Sequence, residues 1–171
     1  MLIRPAEIAD ARKVAEVHVA TWQHTYRGII PNEYLGSLSV EKREAGWRES
    51  LEKKLSELWV ASDEPSEQLA GWVSFGKCRD TDKPASVGEL WAIYALPAYW
   101  SHGVGRALWL TARNRLVEMG FTEVTVWCLA GNRRAERFYR AAGFVATNSI
   151  SKAKFADTVL DEIRYEASLS S

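Results

Sequence analysis

The sequence is poor in the residues that build disulfide frameworks and metal centres. It contains two cysteines, Cys78 and Cys128, and three histidines in 171 residues. The cysteines fall on separate predicted strands, form no CxxC pair and have no histidine nearby at ligand spacing. We therefore predict two reduced thiols, no disulfide framework and no metal site.

An excess of charge of one sign is also absent. Lysine and arginine together number 22, and so do aspartate and glutamate. A chain with this balance has no overall field that attracts nucleic acid or an anionic membrane. We expect no nucleic-acid partner, and an anionic ligand must be bound through local geometry.

Long apolar runs are the third absence. No segment approaches the ~18 consecutive apolar residues of a membrane span, and the N-terminal segment MLIRPAEIADARKV lacks the apolar centre of a signal peptide. We therefore expect a cytoplasmic location without membrane attachment. Apolar residues make up 47% of the sequence, and the length suits a single domain over residues 1–171. Eight tryptophans are present, and most are expected in the core.

The hydrophobic periodicity predicts a strand, two helices, a meander of strands, a helix, a strand, a helix and two final strands. Asp10 and Ser39 are the expected N-caps of the first two helices. The strand–helix–strand unit from Val87 to Cys128 implies one parallel pair, because a parallel return requires a crossover. The predicted fold class is α+β, a mixed sheet flanked by helices. Strands are expected near residues 2–4, 58–62, 68–79, 87–95, 124–128, 144–148 and 159–167; helices over 10–26, 39–55, 103–120 and 132–142; a short helical piece within 31–38; and a hairpin turn at 63–67.

A glycine-bearing turn, Gly103-Val104-Gly105, lies between a predicted strand and a helix. Main-chain N–H groups at such a turn converge on an anion, and the helix dipole adds partial positive charge. The turn is not a dinucleotide fingerprint, because Leu108 replaces its third glycine, and no GK[ST] follows. A purely structural turn is the alternative.

Two longer tracts carry a family resemblance. The first tract contains this turn and reads IYALPAYWSHGVGRAL from Ile93. The second tract reads NRRAERFYRAAGF, from Asn132 to Phe144. Together these tracts resemble the GNAT superfamily of N-acetyltransferases, and the segment HVATWQHTYRGIIP from His18 is similar to a subset of small bacterial members. The resemblance implies a mostly antiparallel mixed sheet whose central parallel strands splay apart. It also implies acetyl-CoA as the cofactor, and homodimers are common in the family.

The resemblance also implies which residues hold the coenzyme. Ile93, Tyr94 and Ala95 would hold the pantetheine arm, and Asn132 would touch it while capping its own helix. One position departs from the family, because Trp100 replaces the usual arginine or glutamine. The pyrophosphate would be bound by His102, Gly103, Val104, Gly105, Arg106 and Ala107.

Catalytic roles follow from the same resemblance. Glu89 would be the general base, because an alkylammonium with a pKa near ~10.4 has no free lone pair at neutral pH. Tyr139 would be the general acid for the departing thiolate. The alternative for Glu89 is a surface salt bridge, in which case Glu52, Glu57 or a chain of water molecules would be the base. The alternative for Tyr139 is an aromatic side chain of the core. A covalent acyl-enzyme on Cys128 is not favoured, because no histidine is placed to activate it.

The acceptor pocket is the least determined part of the site. In the family the first helix and the loop after it form the wall of this pocket. Aromatic side chains are therefore the candidates for acceptor binding, because ring faces attract ammonium groups. The alternative is that these side chains pack in the core. These considerations predict transfer of an acetyl group to a primary amine of a small molecule by direct attack. Acetylation of protein N-termini or lysines and non-catalytic acyl-CoA sensing are the alternatives. The candidate acceptor residues are Trp22, Tyr26 and Trp91, followed by Trp47 and Trp72.

Overall fold

The strands form one seven-stranded sheet in the order β1-β2-β3-β4-β5-β7-β6. The structure is a computed structural model and describes residues 1–63 and 68–170. The strands are β1 (Leu2–Pro5), β2 (Glu57–Asp63), β3 (Gln68–Lys77), β4 (Val87–Ala95), β5 (Glu123–Leu129), β6 (Val145–Phe155) and β7 (Thr158–Ser168), and the α-helices are α1 (Ala11–Thr25), α2 (Asn32–Gly36), α3 (Val40–Lys53), α4 (Val104–Glu118) and α5 (Arg133–Ala141).

Five of the six neighbouring strand pairs in the sheet are antiparallel, and β4 and β5 are the parallel pair. Helix α4 supplies the crossover between these two strands, as a parallel connection requires. The α+β class and the mixed, mostly antiparallel sheet are therefore confirmed.

The parallel pair is short. Residues Val87–Glu89 of β4 pair with Glu123–Thr125 of β5, and the pairing stops there, although β4 continues to Ala95. On its other side the β3–β4 register shifts between Ser74 and Phe75. A bulge of this kind bends a strand and increases its twist. The result is the predicted splay, a gap between β4 and β5 in the middle of the sheet.

Apolar side chains pack on both faces of the sheet. The larger cluster includes Leu108 and Leu116 of α4 together with Val126 and Tyr165 of the sheet. The opposite face carries a cluster in which Trp72 packs beneath α1 and α3. A third cluster lies where the end of α1 meets β5 and the β6–β7 hairpin. The gap between β4 and β5 is thus walled by packed helices on both sides.

Several boundaries differ from the sequence prediction. Ser39 caps α3 as expected, accepting a hydrogen bond from Lys42 N at 3.2 Å. Asp10 does not cap α1, because a 3₁₀ turn over Ile8–Asp10 precedes the helix and the carboxylate binds Arg4 at 2.6 Å and Glu7 N at 2.8 Å. Strand β6 continues to Phe155 instead of ending near 148, because its residues from Ile150 to Phe155 pair with β7.

The remaining expectations concern the hairpin turn, the cysteines and the membrane. Of the turn predicted at 63–67, residues 64–67 lie outside the described part of the chain. Cys78 and Cys128 are buried free thiols, as predicted. No described helix is long and apolar enough to cross a membrane.

Candidate active site

A cavity of about 690 Å³ occupies the gap between β4 and β5. Its size lies within the range of small-molecule and cofactor sites. Its walls come from α1 on one face of the sheet and from α4 and α5 on the other. Most of the predicted site residues line it, namely Trp22, Tyr26, Glu89, Trp91, Ile93, Tyr94, Ala95, Gly103, Val104, Gly105, Arg106, Asn132 and Tyr139, whereas His102 and Ala107 do not.

The glycine turn opens α4 toward this cavity. Gly103 has φ +84°, a left-handed conformation that glycine adopts without strain. The first N–H groups of a helix have no intrahelical acceptor, so those of Val104, Gly105 and Arg106 are available to a ligand. At position 105 the constraint is steric, because a Cβ there would lie 3.2 Å from the ring of Phe138 of α5. The turn is therefore both a potential anion site and a close contact between helices.

Trp100 is built into the wall at this end of the cavity. Its Nε1 donates to the carbonyl oxygen of Ala95 at 2.8 Å, and the guanidinium carbon of Arg134 lies 3.8 Å from the ring centroid. Burial, followed by the charge of Arg137, lowers the pKa of Arg134. Arg134 and Arg137 both line the cavity beside Arg106. Sequence reasoning missed these two arginines, although the run NRRAER signalled a basic helix start.

His102 is placed differently from expectation. Its side chain is exposed, and Nδ1 lies 2.7 Å from the carbonyl oxygen of Trp100. The histidine packs beside the turn and does not line the cavity. Asn132 does line it, and its side-chain oxygen accepts from Ala135 N at 3.2 Å, so the predicted helix cap is present.

Tyr139 lies in the cavity wall on α5. It is buried, and its ring contacts the rings of Phe138 and Phe144. Burial, followed by the nearby Cys128 and Tyr94, raises its pKa well above the ordinary 10.0. The phenol is therefore protonated at neutral pH, and its hydroxyl has no hydrogen-bond partner within the described residues.

Cys128 also lines the cavity but is a poor nucleophile. Burial, followed by the charges of Glu136 and Glu162, raises the pKa of its thiol to about 12. Because the thiolate is the reactive form of cysteine, a protonated thiol here disfavours a covalent acyl-enzyme.

Glu89 lines the cavity and is 2% exposed. Its carboxylate binds Arg79 at three donors: Nη2 at 2.5 Å, Nε at 3.2 Å and the main-chain N–H at 2.9 Å. The guanidinium of Arg79 also lies over the ring of Trp91, 4.3 Å from its centroid. Glu89 is thus a buried, ion-paired carboxylate, whereas Glu52 and Glu57 lie outside the cavity lining.

Glu162 is a cavity carboxylate that the sequence did not single out. It stands on β7 directly opposite Leu129 of β5 and lines the same cavity as Glu89. Burial raises the pKa of Glu162, and the charge of Arg79 lowers it by a smaller amount. Its location depends on the pairing of two strands far apart in sequence, for which no local signal exists.

The aromatic candidates divide into two groups. Trp22, Tyr26 and Trp91 line the cavity, and their role in acceptor binding stays a prediction. Trp47 and Trp72 do not, and they pack in the core around His18, whose Nδ1 accepts from Trp47 Nε1 at 3.3 Å. For these two tryptophans the core alternative is correct.

The cavity reaches the start of α4, where main-chain N–H groups without intrahelical acceptors could bind an anionic group. The sequence profile described as the acetyltransferase (GNAT) family matches residues 19–144. The chain is 36% identical over 130 residues to the uncharacterised N-acetyltransferase YuaI of Bacillus subtilis, covering 76% of this chain and 72% of that protein.

Two solved structures share the fold. The PaiA N-acetyltransferase of Thermoplasma acidophilum, in complex with coenzyme A, superposes with a TM-score of 0.75 at 23% identity over 98% of both chains. The yncA protein of Salmonella typhimurium, with acetyl-CoA, gives a TM-score of 0.74 at 22% identity over 100% of this chain and 95% of that one.

The chain belongs to the GNAT family of acetyltransferases. The resemblance inferred from the two sequence tracts is thereby confirmed. Acetyl-CoA is the acetyl donor of this family, which confirms the predicted cofactor.

Proposed function

We propose that this protein is an N-acetyltransferase that moves the acetyl group of acetyl-CoA to a primary amine of a small molecule by direct attack. The observation that supports the proposal best is that one cavity, lying in the gap of the sheet, collects the open start of α4, Tyr139 and Glu89. Each of these features answers a separate requirement of the reaction, namely coenzyme binding, protonation of the leaving group and removal of a proton from the amine.

The residues present fit the coenzyme. When bound, acetyl-CoA supplies a thioester whose acyl carbon accepts a nucleophile. The N–H groups of Val104, Gly105 and Arg106 would bind its pyrophosphate at the helix N-terminus. Arg106, with the missed Arg134 and Arg137, adds positive charge at that end of the cavity, which compensates for the tryptophan at position 100.

The pantetheine arm would lie along the unpaired edge of β4. Ile93, Tyr94 and Ala95 lie beyond the last residue of β4 that pairs with β5. Main-chain groups at an unpaired strand edge are ready hydrogen-bond partners for an extended amide-bearing chain. Asn132 would contact the same arm from the start of α5, as predicted.

Two side chains would handle protons. Glu89, held in position by its ion pair with Arg79, accepts a proton from the acceptor ammonium, directly or through water. Tyr139 gives its proton to the departing sulfur, for which a buried, protonated and unpartnered hydroxyl is suited.

The acceptor would enter from the α1 face. Trp22, Tyr26 and Trp91 line the cavity, which favours a small amine with an apolar or cationic body. Acetylation of a protein chain and coenzyme sensing without turnover are the competing outcomes. The cytoplasmic location stays a prediction from the sequence.

The test is a thiol-release assay with acetyl-CoA across small amines, amino acids and peptides, together with calorimetry of coenzyme A binding. Amine-dependent thiol release with small amines supports the proposal. Thiol release with peptides alone would show that the protein acetylates protein chains. Coenzyme binding without turnover on any amine would show that the protein is a coenzyme sensor.

A further inference from the structure

Glu162 is a carboxylate of the cavity that the proposed chemistry does not use. Its carboxylate makes no hydrogen bond and no ion pair with any side chain in residues 1–63 and 68–170. It shares a face of the sheet with its partner Leu129. Leu129 packs with Tyr26 and Phe155 in the cluster at the end of α1, so Glu162 lies on the acceptor side of the gap.

The basic side chains near Glu162 are engaged elsewhere. Arg79 uses its donors on Glu89 and covers Trp91. Arg164, two residues along β7, pairs with Asp80 at 3.1 Å and Asp82 at 2.8 Å. Lys83 pairs with Glu166 at 2.6 Å. Within the described residues no basic side chain forms an ion pair with Glu162, and Arg79 acts on it only through its charge.

A half-buried carboxylate without a partner is costly, because burial disfavours the charged form. The raised pKa of Glu162 has this cause. A cationic ligand would remove the penalty. Aromatic side chains in the same cavity would add to its binding, because a ring face attracts an ammonium group; Tyr26 and Phe155 line the cavity and pack in the cluster that contains Leu129.

We propose that Glu162 binds the ammonium group of the acceptor and selects amines that carry no carboxylate beside it. This inference rests on the proposed function. An acceptor carboxylate next to the amine would face Glu162 at short range and be repelled. Acetylation converts the ammonium into a neutral amide, so the product loses the ion pair and is held less tightly than the substrate.

The experiment compares two probes of equal shape, benzylammonium and benzyl alcohol. Each is titrated at pH 7.5 into the protein saturated with coenzyme A, which allows no acetyl transfer, and tryptophan fluorescence reports binding. The wild type should bind benzylammonium more tightly than benzyl alcohol. Glu162→Gln should weaken benzylammonium binding about tenfold, the loss expected for one charge-assisted contact, and leave benzyl alcohol unchanged.

Asp161→Asn is the matched control. It removes the same charge one residue away, where the side chain points to the opposite face of the strand and pairs with Lys152 near the surface. This variant should bind both probes as the wild type does. An equal loss in both variants would show a general field effect and overturn the proposal, as would a wild type that does not distinguish the probes.

A second readout separates this inference from the proposed function. With acetyl-CoA, the wild type should turn over benzylamine with a higher kcat/KM than phenylglycine, which adds a carboxylate beside the amine, and Glu162→Gln should reduce this ratio by raising KM. Normal coenzyme binding and turnover without this preference would refute the role of Glu162 alone. Failure to bind coenzyme A would refute the proposed function instead.

Discussion

Replacement of Tyr139 by phenylalanine tests the proposed protonation step most directly. The phenol lies in the cavity wall, is protonated at neutral pH and has no hydrogen-bond partner among the described residues. Removing a hydroxyl without an internal partner leaves the packing intact, so we expect the free energy of unfolding to change by less than about 1 kcal/mol. Loss of a general acid typically slows catalysis by about 100-fold or more.

The assay is thiol release under saturating acetyl-CoA and amine, with coenzyme affinity measured by calorimetry. We expect a large fall in kcat and an unchanged Kd for coenzyme A. Tyr165→Phe is the matched control, because this buried tyrosine has its ring centroid 6.1 Å from that of Tyr139 but does not line the cavity. A Tyr139→Phe enzyme as fast as the control would remove the phenol from the mechanism.

The remaining predictions concern the base, the turn and a buried histidine. Glu89→Gln should move the pH–rate profile toward higher pH, because the amine must then lose its proton to solvent, which becomes favourable only toward ~10.4. Gly103→Ala should lower the free energy of unfolding by about 1–2 kcal/mol, because residue 103 has a left-handed backbone conformation, and it should also weaken coenzyme binding. His18 has its pKa lowered from 6.5 to about 3 by burial, then by Arg43, so stability should fall as pH drops from 6.5 toward 3.

Each of these has a control or a contradicting outcome. An unchanged pH profile in Glu89→Gln would point to another base. Gly120→Ala introduces the same strain at φ +90°, at the other end of α4, and should leave coenzyme affinity intact; equal losses in both variants would contradict an anion site at the turn. The prediction for His18 is tested by measuring the melting temperature between pH 6.5 and pH 3. A His18→Phe variant with the same pH dependence as the wild type would assign the acid instability to other groups.

The sequence predicted those parts of the site that depend on local signals. A glycine at a strand–helix junction and a helix-capping asparagine are specified within a few residues, and both Gly103 and Asn132 lie where expected. The parallel pair followed from connectivity, because a crossover helix leaves few alternatives. Trp47 and Trp72 show the limit of this reasoning, since an aromatic at helical or strand spacing has the same local pattern in a core and in a pocket.

The features that escaped prediction depend on contacts between distant segments. Glu162 lies in a strand of alternating charge, DEIRYE, which is typical of a solvated face, and it enters the cavity because β7 pairs with β5. The ion pair between Arg79 and Glu89 likewise depends on how the loop after β3 folds back over β4. Neither arrangement is encoded in a short window of sequence.

The three-residue contact between β4 and β5 has a consequence for the whole molecule. It divides the sheet into a block of four strands and a block of three, held together by few main-chain bonds and by the side chains that α4 packs across both. A ligand that bonds to β4 inside the opening adds main-chain partners that the folded chain alone does not provide. Such a ligand binds the native state and not the unfolded one, so resistance to heat should rise with its concentration.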